Sequence, residues 1–473
     1  MKSDKTLTEF CEQDAPAYAA YDNIRKIASY LDGLKLSQRK VIYTMLKKFP
    51  DPSSETKTAR LASNVAETTE YLHGEGSLCT VLDTMAASFV GSNNYPLIKG
   101  NGNFGTRFSG PGSAAAERYT YCSISPLTAL LIPDVMRKLC PSQIFEGSEI
   151  EPEFYLPIFP ILFLNGTDGI SSGWKASIYP RNPKEILDYI IQCLKARKAN
   201  TKVSDKIKRG IEISAPFFRG FAGKTIYEIP DGATEGSFVN YGCIRKIHST
   251  LMEITEIPIT YNYSSYIKFL DKLQEKEELF VDYEDNCDPK SDTFTFKIKV
   301  KRDFWNKYPD EKDWIKLFGL QKTLSEQLNC IGEGGKVVEF KNIREILDAY
   351  IEKRLEYYDK QKNYLIQEYT SKLEIDISKY VFVSGVSSGS IQIGNKKIDE
   401  INDILDKVDR IKRVDQSYSY LLAMPMRSMT KETLDKLKQE MLGLKDSILT
   451  LNQSSIEDMW LDDLKGLKKH LGV

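Results

Sequence analysis

The sequence predicts an α+β chain of several domains, and three observations lead there. Three short helical segments follow one another near the start, the middle alternates like strands, and the last third repeats apolar residues at helical spacing. With 473 residues, 41% of them hydrophobic, the chain has length for about two to four domains and apolar content for several cores.

Residues 34–49, "LKLSQRKVIYTMLKKF", put Val41, Ile42, Met45 and Leu46 on one helical face among basic residues, and Pro50 stops them. A second helix is expected over about 54–72 and a third through "SLCTVLDTMAASFV". Joined by "PDPSS", these suggest a helix-turn-helix or winged-helix module whose wing is the Gly-rich stretch 100–120. Beyond Pro133, "YLPIFPILFLNGTDGISSGW" reads as an apolar run into a glycine-rich turn; "GKTIYEIP", "LMEITEIP" and "DTFTFKIKV" read as strands of a second, α+β domain. From Asn342 to about Ile375 no Gly or Pro intervenes, and Ile343, Leu347, Tyr350, Leu355 and Tyr358 form a helical stripe. Leu434, Leu437, Met441, Leu444, Ile448 and Leu451 make a heptad seam, and Trp460, Leu464, Leu467 and Leu471 share one face of a last helix capped by Ser455. Between the long helices lies a compact segment of about 50 residues. Antiparallel arms with a globular tip suggest a reach toward a second copy, with an internal bundle as the alternative.

No apolar run reaches the roughly 18 residues of a membrane span, and the start "MKSDKTLTEF" is polar, so no membrane segment and a cytoplasmic address are expected. The eight cysteines are scattered without a C-x-x-C pair, and the only histidines are His73, His248 and His470, which leaves few groups for metal or imidazole chemistry. The formal net charge is -1, yet residues 25–60 carry nine Lys/Arg against three acids. This local excess fits either a phosphate footprint or a solvated helix face.

Gly100-x-Gly102-x-x-Gly105 has the spacing of a dinucleotide-binding loop, but "TRFSGPG" follows it where a pyrophosphate-binding helix would have to begin. A loop rich in Gly, Asn and Ser, with Lys99 and Arg107, suits close backbone approach to a polyanion instead. Its far end presents Tyr119 beside Arg118. A phenol with a pKa near 10 needs a neighbouring cation or base to act as a nucleophile, which Arg118 and His73 could supply.

Eight segments, "LDGLKLSQRKVIYTM", "KTARLASNVAETTEYLHGEGSL", "FVGSNN", "GNGNFGTRFSG", "AAAERYT", "EPEFYLPIFPILFLNGTDGISSGW", "YLLAMPMRSMTKE" and "SIEDMWLDDL", together resemble the DNA breakage-reunion region of the type IIA DNA topoisomerases, in order and over nearly the whole chain. A chain of this length with only this region resembles the divided topoisomerases of T-even bacteriophages, whose address would be the host cytoplasm. The resemblance implies that Tyr119 attacks the DNA backbone and is joined to a 5′ phosphate, that Arg118 binds the scissile phosphate, and that His73 belongs to the active site. It implies that Ile170 wedges between base steps, and that Lys35, Arg39, Lys57 and Arg60 face DNA. Leu72 stands where the eukaryotic motif has a second histidine, Leu31 where bacterial enzymes have an arginine, and Glu117 where the family has an uncharged residue; Tyr121 is the alternative nucleophile.

The implied domains are an N-terminal arm (1–30), a winged-helix cleavage domain (31–135), a tower-like DNA-bending α/β domain (136–340) and coiled-coil arms (341–375 and 428–473) with a dimerisation tip (376–427). No acidic metal-binding cluster of the family's type and no ATP-binding glycine motif is found; the acidic "VDYEDNCD" reads as a solvated polar loop. Mg²⁺ and ATP are therefore expected on a partner subunit, with double-stranded DNA and a second copy of the chain as further partners. Without the basic wrapping domain of gyrase, relaxation, decatenation or unknotting is expected rather than supercoiling. The alternative is a catalytically silent, dimeric DNA-bending protein of the same fold.

Overall fold

The computed structural model describes residues 6–229, 232, 235–289 and 291–473. Residues 1–5 of the expected arm and Pro230 of "GKTIYEIP" lie outside them. The chain divides into two compact units, one of residues 1–354 with 463–473, the other of residues 355–462.

In the first unit, helix Leu36–Lys48 buries Val41, Ile42, Met45 and Leu46, as its spacing dictates. Helices Thr58–Thr68 and Glu75–Ala86 follow. The second is shorter than expected because Thr56–Lys57 pairs as a strand with Tyr121 and Cys122, and Glu70 takes a left-handed φ of 46° just past its end. Strand Tyr121–Ile124 is central in a three-stranded sheet, between Thr56–Lys57 and Ile98–Asn101. Three helices against this small sheet form the frame for the stretch that ends in Tyr119.

Downstream, the apolar run becomes helix Ile161–Asn165 and an antiparallel hairpin of Thr167–Ser171 with Trp174–Ile178. A four-stranded sheet orders its strands Cys243–His248, Leu251–Glu256, Phe296–Val300 and Phe280–Asp285. Met252, Ile254, Phe296 and Ile298 pack under Tyr266 and Leu270 of helix Tyr263–Lys276. The acidic "VDYEDNCD" thus differs from the expected loop: most of it is the edge strand, held by the inward Phe280 beside it.

Helix Ile343–Ser388 buries Ile343, Leu347, Tyr350, Leu355 and Tyr358, but runs about 13 residues past the expected end. The β-branched "YVFV" is helical because Phe382 and Val383 fill the core of the tip with Ile391, Leu405 and Leu421. Here packing overrides local preference. A Cβ on Gly385 would meet Ile391 at 2.4 Å, and Gly389, at φ 79°, follows the helix end. Helix Lys431–Gln453 carries the heptad seam, of which only Leu437 is fully buried, and helix Ile456–Leu471 buries Trp460, Leu464 and Leu467. In the second unit Trp460 stacks on Tyr358 at 5.5 Å.

Candidate functional site

Tyr119 sits on a turn just before the central strand and is 66% exposed. The turn is fixed from both sides. Tyr119 N–H donates to Ala116 C=O at 2.8 Å, Ala115 N–H to Asn103 C=O at 2.9 Å, and the first-turn N–H groups of Thr58 and Ala59 donate to Thr120 and Glu117 carbonyls at 3.0 and 3.2 Å. Thr58 and Thr120 hydroxyls lie 2.7 Å apart beneath them. The N-terminal end of helix Thr58–Thr68 therefore finds its acceptors in the tyrosine turn, which ties the turn to the helix.

Arg118 places its guanidinium carbon 5.0 Å from the Tyr119 ring centroid, so the two are brought together as a cation–π pair. Tyr121, by contrast, is half-buried in the strand, opposite Lys57 and Asn101. Lys57 and Arg60 are exposed and, among the described residues, their side chains make no ion pair or hydrogen bond.

His73 is held elsewhere in the same unit, 2.9 Å from the Tyr21 hydroxyl through Nε2 and edge-on to Tyr71 at 5.4 Å. Burial and the nearby Arg25 charge hold its imidazole below the ordinary pKa. With Leu36, Phe145 and Ile150 these groups line a cleft of about 320 Å³. No contact joins His73 to Tyr119 among the described residues; its fixed neighbours are Tyr21 and Tyr71.

Ile170 projects from the 167–178 hairpin, 68% exposed, close to the turn at Gly173. The hairpin is fastened to helix Ala15–Lys26: Asp22 accepts from Ser172 N–H and hydroxyl at 2.9 and 3.0 Å, and Asn23 accepts from the Ser171 hydroxyl at 2.7 Å. Lys26, 2.9 Å from Asp22, holds that carboxyl below its usual range. A Cβ on Gly169 would lie 2.1 Å from Lys26 C=O, so only glycine admits this approach.

Two of the basic residues expected to face DNA have other places. Arg39 is buried and pairs with the fully buried Asp32, Nε to Oδ2 at 2.6 Å, while Asp32 also accepts from Leu34 and Tyr155 N–H groups. Its charge is committed inside the fold. Lys35 donates to Asp168 C=O at 2.5 Å, at the base of the Ile170 hairpin, and burial lowers its pKa. Two glycines of the loop also answer needs inside the fold: a Cβ on Gly100 would strike the Phe104 ring at 2.5 Å, and Gly102 has φ 119°. Arg107 is buried, bound to Glu256 at 2.7 Å and Ile257 C=O at 2.7 Å, with Phe108 stacked on Phe294 at 4.7 Å. After Gly105 comes only a three-residue 3-10 turn, Pro111–Ser113, and no α-helix begins at the third glycine, which removes the dinucleotide reading.

Tyr21, Asp22, Asn23 and the Arg107–Glu256 pair escaped sequence reasoning. Their partners are 52 to 150 residues away, and no local spacing announces them. Among the described residues, no group of three or more His, Cys, Asp or Glu side chains could hold a metal ion, and no helix is long and apolar enough to cross a membrane.

Comparison with known proteins is consistent over nearly the full length. The family of DNA gyrase/topoisomerase IV A subunits matches residues 25–465. The mitochondrial DNA topoisomerase 2 of Dictyostelium discoideum is 31% identical over 98% of this chain and 35% of its own length; DNA topoisomerase 2 of Saccharomyces cerevisiae is 29% identical over 98% and 34%. The crystal structure of the Plasmodium falciparum topoisomerase II DNA-binding, cleavage and re-ligation domain superposes with a TM-score of 0.85 at 27% identity, covering 98% of this chain and 64% of that one. The chain thus spans about a third of the curated relatives' length.

Proposed function

The chain belongs to the family of DNA gyrase/topoisomerase IV A subunits, and on that premise we propose that it is the DNA-cleaving and religating component of an ATP-dependent type II topoisomerase. The observation that carries the reading is the exposed Tyr119 on a rigidly fastened turn with Arg118 over its ring. The phenol oxygen attacks a backbone phosphorus; a tyrosyl O–P bond forms and the bond to the 3′ oxygen breaks. The phenol proton leaves and the 3′ oxygen takes one up. Arg118 binds the phosphate and offsets charge on the pentavalent phosphorus. Because the phosphotyrosine keeps the energy of the broken bond, attack by the 3′ hydroxyl reseals the strand.

The sheet and three helices around Tyr119 are read as a winged helix, with Lys57 and Arg60 as its free phosphate-facing cations. His73 is assigned a supporting phosphate contact and Ile170 the wedge that bends the duplex. Two copies cut the two strands, part them for a second duplex and reseal, giving relaxation, decatenation or unknotting. They are proposed to meet through the tip of the second unit, where Leu422 and Met426 are exposed, with the long helices as coiled-coil arms.

We assign Mg²⁺ and ATP to a separate partner polypeptide and propose the medium subunit of T-even bacteriophage topoisomerase as the counterpart of this chain. Peptide mapping of the protein–DNA adduct, formed with such a partner and trapped by denaturant, tests the site. A DNA-linked peptide modified at Tyr119 is expected, and modification at Tyr121 would move the chemistry. Cleavage and strand passage by the purified chain alone with Mg²⁺ and ATP would contradict the divided arrangement.

A further inference from the structure

Two stretches of this sequence are strongly basic, and the structure treats them differently. In the first, residues 25–60, most of the charge is committed: Arg39 to Asp32, Lys40 to Glu151, Lys26 to Asp22, Lys48 to Glu67 and Lys35 to a backbone carbonyl. The second, "KARKANTKVSDKIKR" at residues 195–209, holds seven Lys/Arg against the single acid Asp205, a net +6. From Tyr189 to Ser204 there is no acidic residue at all. The stretch joins the last turn of helix Pro183–Lys198 to helix Asp205–Glu212, and nearly all of its basic side chains are exposed.

Intramolecular pairing accounts for only part of this charge. Arg197 meets Glu352 at 2.9 Å, Arg209 meets Glu212 at 3.2 Å and Lys208 lies 3.8 Å from Asp205. Lys195, Lys202 and Lys206 are exposed and make no ion pair or side-chain hydrogen bond among the described residues. Helix stability accounts for part of it, since Lys195, Arg197 and Lys198 complement the negative end of their helix. Lys202 gains nothing of this kind, and Lys206 stands in the first turn of helix Asp205–Glu212, at the positive end, where a cation is disfavoured. In addition, the Ser204 side chain caps no N–H of that helix, which leaves first-turn donors beside Lys206. Cations and open N–H groups at a helix start are arranged for an oxyanion.

We propose that residues 195–209 form a second duplex-DNA-binding surface, separate from the elements that carry Tyr119, in which Lys195, Lys202 and Lys206 contact backbone phosphates. The proposal takes from the functional reading only the choice of DNA as the polyanion. A spacing of charges over a loop and two helix ends suits an extended row of phosphates better than a single small anion. It reads no base edge, so binding there is independent of sequence.

The test is the salt dependence of duplex binding by the full chain and its Lys195→Ala/Lys202→Ala/Lys206→Ala variant. Each phosphate contact contributes about -0.9 to the slope of log K against log salt, so loss of three contacts makes the slope less negative by about 2.7. The Lys→Arg triple variant keeps the charge and is expected to retain the wild-type slope, which separates charge from misfolding. Adduct formation at Tyr119, per DNA bound, is expected to be unchanged. A short duplex that shows the slope difference places the contact on a second molecule of DNA or at the cleaved site's immediate flank. A difference confined to a long duplex places it on the distant flank. Equal slopes for wild type and the alanine variant on both duplexes overturn the proposal, as does a difference seen with poly-glutamate but not with DNA. If Tyr119 forms no adduct while the slope still changes, the second surface stands and the cleavage role falls.

Discussion

Arg39 and Lys57 look alike in the sequence and have opposite surroundings. Among the described residues Arg39 is the sole cation paired with the fully buried Asp32, and breaking such a pair from one side costs about 3–5 kcal/mol. Arg39→Ala is therefore expected to lower the unfolding midpoint markedly, with little change in the salt slope of DNA binding by the protein that remains folded. Lys57→Ala is expected to leave the midpoint alone and make the slope less negative by about 0.9, as measured by unfolding curves and salt titrations side by side. Equal effects would show that exposure is no guide to the phosphate contacts. For His73 the sign follows from linkage. Its pKa is lowered in the free protein by burial and Arg25, whereas a bound phosphate favours the imidazolium, so DNA binding takes up a proton. Affinity is expected to rise as pH falls from about 7.5 to about 5.5, and His73→Gln should lose that increment. As candidates, Tyr119, Arg118, His73 and Ile170 could be singled out from the sequence because they sit inside long motifs. Which lysines and arginines are free was not legible, because a buried arginine and an exposed one have the same local spelling.

Elements that place those residues depend on contacts the sequence hides. The Ile170 hairpin is held by Asp22 and Asn23 about 150 positions earlier, and Gly169 lets the strand touch the helix backbone. Ile170→Ala should accordingly leave the fold and much of the affinity intact while reducing the bend of a bound duplex, read by fluorescence transfer between its ends; an unchanged bend would remove the wedge role. The loop before Tyr119 is fastened in a comparable way, with Arg107 and Phe108 set into the core of the four-stranded sheet. Glu256→Gln leaves the Arg107 charge poorly compensated and is expected to cost about 3 kcal/mol, and to slow adduct formation beyond what the stability loss explains. Helical periodicity located the long helices well because a buried stripe repeats over many turns. It failed at the tip, where β-branched residues are helical for tertiary reasons, and at "VDYEDNCD", where one inward Phe280 outweighs its acidic neighbours.

At the scale of the whole molecule, cutting both strands as proposed takes two copies of the chain, and the second unit is the proposed place where they meet. Met426 is 88% exposed and Leu422 is also exposed in the unit whose core holds Phe382, Leu405 and Leu421. Met426→Lys is expected to leave unfolding unchanged and shift sedimentation from dimer toward monomer; a variant that stays dimeric would place the contact elsewhere. Length and composition admitted several domains but could not tell which charges reach solvent, since that depends on the folded arrangement. The central claim is narrower: the phenol of Tyr119 is the group that breaks and reseals DNA. It is tested most directly by comparing wild type and Tyr119→Phe, each with the ATP- and metal-binding partner, for covalent protein–DNA adduct and for DNA affinity. The adduct is expected to vanish while affinity stays within about twofold, roughly 0.4 kcal/mol, because the Tyr119 hydroxyl makes no hydrogen bond among the described residues. An adduct formed at wild-type level by Tyr119→Phe would contradict it.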